Sequence, residues 1–341
     1  MQNIVAPTDS KPELPELKIG MIGLDTSHCV AFAEILHNPN LPGHVPGARV
    51  TAGVKTFSPD MESSAERVAG FARTMQEKYG VQMVPTIEEL CRQVDGVMIV
   101  SLDGREHLKQ ARPVIAAKKP LFVDKPIACT LRDVREIFRL AEQAGTPVFS
   151  SSAYRFHESL VKLQEADVGE VRAAISYGPA YLAPHHPDLF FYGVHPLEAL
   201  YTVLGQGCEM VVRSHSTDSD VVTGTWTHGR LGVLHGLRTK AIPHKVTIFG
   251  STGFAEQHST GERFSEFGAL GAAQSSGGDS YVALLRRVLD FFRTGEPPVS
   301  PEETIELFAF MEAANESKNR GGEPVKLSEV IDAARRQDGA K

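Results

Sequence analysis

Between Leu17 and Ser151 the chain alternates short apolar runs with amphipathic ones, and that alternation leaves few folds open. Leu17 to Leu24 reads as a strand, Thr26 to Leu36 as a helix capped by Asp25, Thr26 or Ser27, and Arg49 to Lys55 as a second strand. A charged amphipathic helix over Ser63 to Tyr79 stops at Gly80, Ile87 to Gln93 is helical, and Gly96 to Ser101 is a strand. Helices follow at Glu106 to Ala117 and Leu131 to Ala144, with strands at Pro120 to Val123 and Pro147 to Ser151. Strands that alternate with helices build a parallel sheet with right-handed crossovers, which makes the first part an α/β unit.

After residue 148 the texture changes. Val171 to Tyr177, Glu209 to His215, Val221 to Thr227, Leu231 to Arg238 and His244 to Phe249 are strands in quick succession, with a hairpin signal at His228-Gly229. Strands without intervening helices predict an open, mainly antiparallel sheet, and helices at Asp279 to Arg293 and Pro301 to Asn315 complete an α+β unit. The division expected is an arm at residues 1–16, a dinucleotide-type domain at 17–148, and a substrate and assembly domain at 149–341.

The formal charge of −7 argues against nucleic acid or an anionic membrane as partner, since both reward a basic face. No run is long and apolar enough for a signal peptide or membrane span. Cys29, Cys91, Cys129 and Cys208 lie far apart without paired spacing, which suits free thiols in a reducing cytoplasm. A sheet face carrying Val211, Val221, Trp226 and Leu234 needs cover, so a homodimer or homotetramer joined through the open sheet is expected.

The run Phe122-Val123-Asp124-Lys125-Pro126 sets a lysine at the end of a buried strand, where an amine can hold a substrate hydroxyl and help move its proton. Downstream, His185-His186-Pro187-Asp188 is followed by Tyr192, His195 and Glu198, a concentration of titratable groups. His185, His186 and Asp188 also form a metal-like set, but no fixed ligand spacing is matched and a metal-free site is the preferred reading.

This arrangement resembles the Gfo/Idh/MocA family of sugar and polyol oxidoreductases over almost the whole chain, roughly Leu17 to Val330. Asp124-Lys125-Pro126 stands where that family has Glu-Lys-Pro, and Gly193-Val194-His195 where it has Gly-x-His. The resemblance implies a Rossmann domain, NAD or NADP as cofactor, and a sugar or polyol substrate. It implies that Lys125 and His195 are catalytic, that Ser101, His107, Asp124, Lys125 and Pro126 border the cofactor, and that Tyr154 and Arg155 line the substrate pocket with His185, His186, Asp188 and Tyr192. An alternative for Arg155 is a surface ion pair with Glu158.

Departures from the family pattern are as informative. Of the glycine fingerprint only Gly23 survives, with Asp25 at the second glycine and His28 at the third. A carboxylate about 4 to 5 Å from one phosphate charge costs on the order of 3 to 4 kcal/mol at an effective dielectric near 20. Asp25 can avoid that cost by turning away to cap the helix, leaving Thr26, Ser27 and a protonated His28 to the phosphates. After the second strand the usual ribose-binding acid is replaced by Lys55-Thr56-Phe57-Ser58, which leans toward NADP. Asp103-Gly104 replaces the usual Pro-Pro, and Phe191 stands where an aspartate precedes the active-site histidine.

Two classes of function follow. One is hydride transfer at a CH–OH group, as net oxidation or as a transient oxidation that permits elimination or hydrolysis. The other is a silent binding or scaffold protein that kept the fold, favoured by Asp25, His28 and Phe191. His235, Arg238, Lys240 and His244, at strand ends, are expected to be interface or solvent residues.

Overall fold

A computed structural model describes residues 15–239, 241–257 and 277–338. The expected arm therefore lies outside the described residues up to residue 14, as does Lys240.

The first sheet has the order β3-β2-β1-β4-β5-β6, all parallel, with β1 at Leu17–Ile22, β2 Ala48–Val54, β3 Gln82–Met83, β4 Gly96–Ile99, β5 Leu121–Asp124 and β6 Val148–Ser151. Strand β1 pairs with β2 on one side and β4 on the other, so the winding reverses there and a crevice opens beyond the carboxyl ends of these strands. The helices of this half are α1 Ser27–His37, α2 Glu62–Ala65, α3 Val68–Tyr79, α4 Ile87–Cys91, α5 His107–Ala116 and α6 Leu131–Ala144. The single helix expected over Ser63 to Tyr79 is thus two. Ser64 is fully buried, giving its hydroxyl proton to Asp25 and accepting from the Ser58 amide, which pins the first turn inward and forces a new start at α3. That helix ends on Gly80 at φ 67, a left-handed stop that glycine adopts without strain.

In the second half α7 is Glu158–Gln164 and α8 Val194–Leu204, then α9 Gly277–Thr294, α10 Pro301–Asn319 and α11 Leu327–Asp338. The second sheet runs β12-β11-β7-β10-β9-β8-β13, where β7 is Val171–Pro179, β8 Cys208–His215, β9 Ser219–Trp226, β10 Leu231–Leu237, β11 Lys245–Gly250, β12 Phe254–Glu256 and β13 Val325–Lys326. Every pairing is antiparallel except β7 with β10. The β9–β10 hairpin turns through His228 at φ 61 and Gly229 at φ 74, the left-handed geometry that a two-residue hairpin requires.

The open face of this sheet differs from the one expected. Val211, Trp226 and Leu234 are fully buried in the core, and of the four only Val221 faces outward, with Ile175, Leu231, Phe249 and Phe254. The register explains it: Val221 opposes His235 while Val222 opposes Leu234, so Val221 and Leu234 belong to opposite faces.

Helix α9 returns to the first sheet. Phe291 packs edge-on against Phe149 at 4.7 Å, and Gly96 makes room for Phe292, whose ring carbon would lie 2.7 Å from an added Cβ. This return carries Tyr281 to the start of α1, beside the candidate site.

Candidate active site

The turn from β1 into α1 is held against the end of β4. Gly23 sits at φ +85, and a Cβ there would come within 2.4 Å of the Ser101 backbone, so no other residue fits without moving the strand. Asp25 has no exposed surface: its carboxylate accepts from Ser64 Oγ at 2.6 Å and from the Leu102 amide at 3.1 Å. Burial raises its pKa against those bonds. Asp25 therefore neither faces a phosphate nor caps α1; the cap is Thr26, whose hydroxyl accepts from the His28 amide at 3.4 Å. Ser27 opens the helix. Asp25→Gly should lower stability by about 1–3 kcal/mol, the cost of leaving buried donors unpaired, without tightening dinucleotide binding. Tighter binding at unchanged melting temperature would contradict this placement.

His28 spends its side chain inward. Its ring hydrogen-bonds the Asp124 carboxylate and packs 5.1 Å from Tyr281 and 5.3 Å from Phe32. Asp124 also accepts from the Lys125 amide at 2.8 Å. Burial works to raise the Asp124 pKa, but His28 and the Lys125 charge outweigh it and the result is lowered.

Lys125 is partly buried where β5 ends, ahead of a cis peptide to Pro126. Burial lowers its pKa, opposed by Asp124. Its ammonium stands 5.6 Å from the centre of the Tyr192 ring, and the His195 ring lies 4.7 Å from the same ring. Tyr192 itself packs against Tyr181, with ring centres 3.9 Å apart and the planes tilted by 32°. His195, in the first turn of α8, bonds Ser152 Oγ through Nδ1 at 2.6 Å, and its pKa is pushed well below 6.5 by burial and then by Lys125, His244 and His28. Lys125 and His195, seventy positions apart, thus neighbour one aromatic ring.

Behind His195 lies a polar support. Glu198, one turn along α8, accepts from the Ser152 amide at 3.2 Å and from Arg155 Nε at 2.5 Å. Arg155 meets Glu303 as well, at 2.7 Å, so its charge is committed to two carboxylates and not to Glu158, which pairs with Lys162. Tyr154 is buried, with its hydroxyl donating to Gln257 at 2.6 Å.

His244 is a correction. Expected at an interface or in solvent, it is buried 5.8 Å from the His195 ring and 4.8 Å from Tyr154, in space that exists because residue 178 is glycine; a Cβ there would lie 2.1 Å from the His244 ring. Burial lowers its pKa to about 3. His235, half-buried, contacts Ser219 Oγ at 2.8 Å, and Arg238 pairs with Asp220. The histidines His244, His195 and His37, the last lowered to about 4 by burial and then Arg49, are neutral when folded. Their folded values lie below the unfolded one, so their stability contribution is present above about pH 6.5 and is lost on acidification toward the folded values. Each should cost about 1.4 kcal/mol between pH 7.5 and 5.5, read by denaturant melts at the two pH values.

The remaining expected residues divide. Ser101 Oγ donates to Gln110 at 2.9 Å and lies 3.3 Å from the Thr56 hydroxyl. His107 staples two loops, with its ring nitrogens each 2.9 Å from the Pro126 and Ser101 carbonyls. Lys55 is exposed where β2 ends. The set His185, His186 and Asp188 does not gather: His185 lies 3.8 Å from Asp60, His186 faces Asp103 at 3.5 Å, and Asp188 pairs with Arg213 at 2.9 Å and Lys318 at 2.6 Å. None of these contacts brings a carboxylate to the place left by Phe191, whose ring packs on His186 at 4.9 Å.

The residues present fit a dinucleotide. Gly23 keeps the turn tight, the Asp25 carboxylate is withdrawn, and the turn ends on a capped helix, an arrangement that binds phosphate.

This is the fold of a two-domain dinucleotide enzyme. Residues 17–152 match the model of the Gfo/Idh/MocA oxidoreductase family, with its NAD-binding Rossmann fold. It is 25% identical over 301 residues, 76% of this chain and 88% of the relative, to the myo-inositol 2-dehydrogenase of Thermotoga maritima. It is 31% identical over 226 residues, 59% of this chain and 65% of the relative, to the 1,5-anhydro-D-fructose reductase of Ensifer adhaerens. Its fold matches the Lactobacillus casei scyllo-inositol dehydrogenase solved with bound NAD(H) and scyllo-inositol, at a TM-score of 0.73 and 14% identity over 92% of this chain and 99% of that one. The protein is an oxidoreductase, and its cofactor is NAD or NADP.

Proposed function

We propose that the protein oxidises a secondary alcohol of a sugar, cyclic polyol or close derivative, or reduces the matching ketone, with Lys125 and His195 as its acid and base. The observation that carries this reading is that both groups neighbour the Tyr192 ring, close enough for the Lys125 charge to act on His195. Bound dinucleotide supplies the hydride acceptor or donor, with Gly23, Thr26 and Ser27 at its pyrophosphate and Asp124, Lys125 and Pro126 near its nicotinamide.

The chain's own groups do the rest. A substrate hydroxyl within reach of Lys125 and His195 meets an amine whose pKa burial has lowered and an imidazole that burial keeps neutral, both able to take its proton. Ser152 holds the ring by Nδ1, and Glu198 with Arg155 holds Ser152. Tyr192 and Tyr181 form an apolar wall against which a ring CH face can lie. The relatives' names support inositols and anhydro-sugars as first substrates. The experiment is a panel of inositols, aldoses and anhydro-ketoses with each nicotinamide, followed by its absorbance; turnover on one class and its loss in His195→Ala supports the reading, and no turnover on any member overturns it.

Lys55 with Thr56, at the end of β2 where the usual acid is missing, supports a 2′-phosphate and hence NADP. The division at residues 17–148 and 149–341 is read with α9 returned to the first unit, where Phe291 and Phe292 pack. Four free, buried cysteines support a reducing compartment such as the cytoplasm, and among the described residues no helix is long and apolar enough to cross a membrane. The outward face of Ile175, Val221, Leu231, Phe249 and Phe254 supports a symmetric dimer or tetramer built face to face. Light scattering should show a multiple of the 37.1 kDa chain, and a monomer at micromolar concentration would defeat it.

A further inference from the structure

Away from Lys125, three side chains from separate loops meet in the interior. Asp103 follows β4, Cys129 follows the Lys125-Pro126 loop, and His186 lies in the stretch between β7 and α8. Their ligand atoms all lie within 4.8 Å of one another, and all three residues are buried. The close approach is built: Gly104 has no Cβ, and one there would lie 3.0 Å from Cys129 Sγ. The Asp103-Gly104 pair that departs from the family pattern thus supplies both a carboxylate and the room for a thiol.

The His186 ring sets the problem these groups pose. Its side chain has no exposed surface; Nδ1 lies 3.2 Å from the Pro184 carbonyl, and Nε2 lies 3.5 Å from Asp103 Oδ1 without a hydrogen-bond partner. A neutral ring carries one proton, on Nδ1 or on Nε2. With that proton on Nδ1, the Nε2 lone pair confronts a carboxylate; with it on Nε2, the Nδ1 lone pair confronts a carbonyl. In the neutral ring either tautomer leaves two acceptors facing each other, and a cation between Nε2 and Asp103 relieves that clash.

We propose that Asp103, Cys129 and His186 bind a divalent, zinc-class metal ion that ties the segment carrying Tyr192 to the first domain. One nitrogen, one sulfur and one carboxylate oxygen are a zinc set, with the fourth position left to water. At metal–ligand lengths of about 2.0 to 2.3 Å, tetrahedral ligand atoms stand about 3.3 to 3.7 Å apart. The His186–Asp103 separation of 3.5 Å is already there, and the sulfur has about 1 Å to close.

The charges balance as well. Arg105 neutralises Asp60 through two contacts of 2.9 Å and braces Asp103 at 2.6 Å, as an outer partner of a metal ligand does. A dication then meets one carboxylate and one thiolate, and the site is neutral. The thiol proton leaves to solvent on binding, and Cys129 lines a cleft of about 340 Å³, with Thr130, Pro187 and Asp188, through which ion and proton can pass. His186 packs on Phe191, next to Tyr192, so the ion would steady the wall of the active site without touching the substrate.

The test uses the full chain, stripped with chelator and titrated with cobalt(II), then zinc. A thiolate-to-cobalt charge-transfer band with tetrahedral ligand-field absorption is expected, displaced by zinc. Cys129→Ser should lose the charge-transfer band, and His186→Ala should weaken zinc by about a hundredfold or more, since even losing an outer partner costs about 10 to 100-fold. Absence of the band in folded wild-type protein at saturating cobalt, or its persistence unchanged in Cys129→Ser, would overturn the proposal.

Discussion

Lys125→Met lowers turnover by about a hundredfold or more while the fold and the affinity for nicotinamide dinucleotide stay nearly intact. That loss corresponds to about 2.7 kcal/mol of transition-state stabilisation. The expectation follows from where the amine sits. Among the described residues no hydrogen bond ties the Lys125 ammonium to the protein; it lies over Tyr192 at 5.6 Å with only the Asp124 charge beside it. A group held that way contributes little to stability and is available to a substrate. Methionine keeps the apolar stem and removes the proton carrier. Unchanged turnover on an identified substrate would remove Lys125 from the chemistry.

Arg155→Met has its largest effect on stability, with an expected loss of about 3–5 kcal/mol in denaturant unfolding, because it strands a buried charge network. Glu198 is buried and meets Arg155 at 2.5 Å, and Glu303 meets it at 2.7 Å. Burial pushes the Glu198 pKa up, against the pull of Arg155. Without the guanidinium one carboxyl must take a proton or the helices must part. Arg155→Met combined with Glu198→Gln should recover part of the loss, a coupling that a double-mutant cycle measures. An arginine that served the substrate alone would show the opposite: normal melting, raised KM.

How much of this was legible in the chain depends on the range of the interaction. The alternating strands and helices, Gly23, the strand that ends at Lys125 and the hairpin at His228-Gly229 are local patterns, and the structure has them where periodicity and turn chemistry put them. Asp25 was legible as a departure but not in its role, because its partners Ser64 and Leu102 lie 39 and 77 residues away. His244 left no local signal at all. Its burial depends on Gly178 across the sheet, and only a pairing of β7 with β11 would have suggested that the two meet. The sheet faces were misread for a similar reason: alternation along each strand is visible, but which set faces the helices is decided by cross-strand register. Arg155 invited a helix-surface partner at Glu158, whereas burial supplied Glu198 and Glu303 from two other helices.

The loss of two fingerprint glycines left open whether the first domain still holds a dinucleotide, and the inward turn of Asp25 removes the electrostatic objection. The most direct measurement is therefore equilibrium binding of NADPH and NADH to the purified chain, by fluorescence enhancement and thermal melting. Saturable binding is predicted, tighter for NADPH, with about 2.7 kcal/mol of added stability at a hundred times the dissociation constant. No enhancement and no shift with either nucleotide at millimolar concentration would contradict the account.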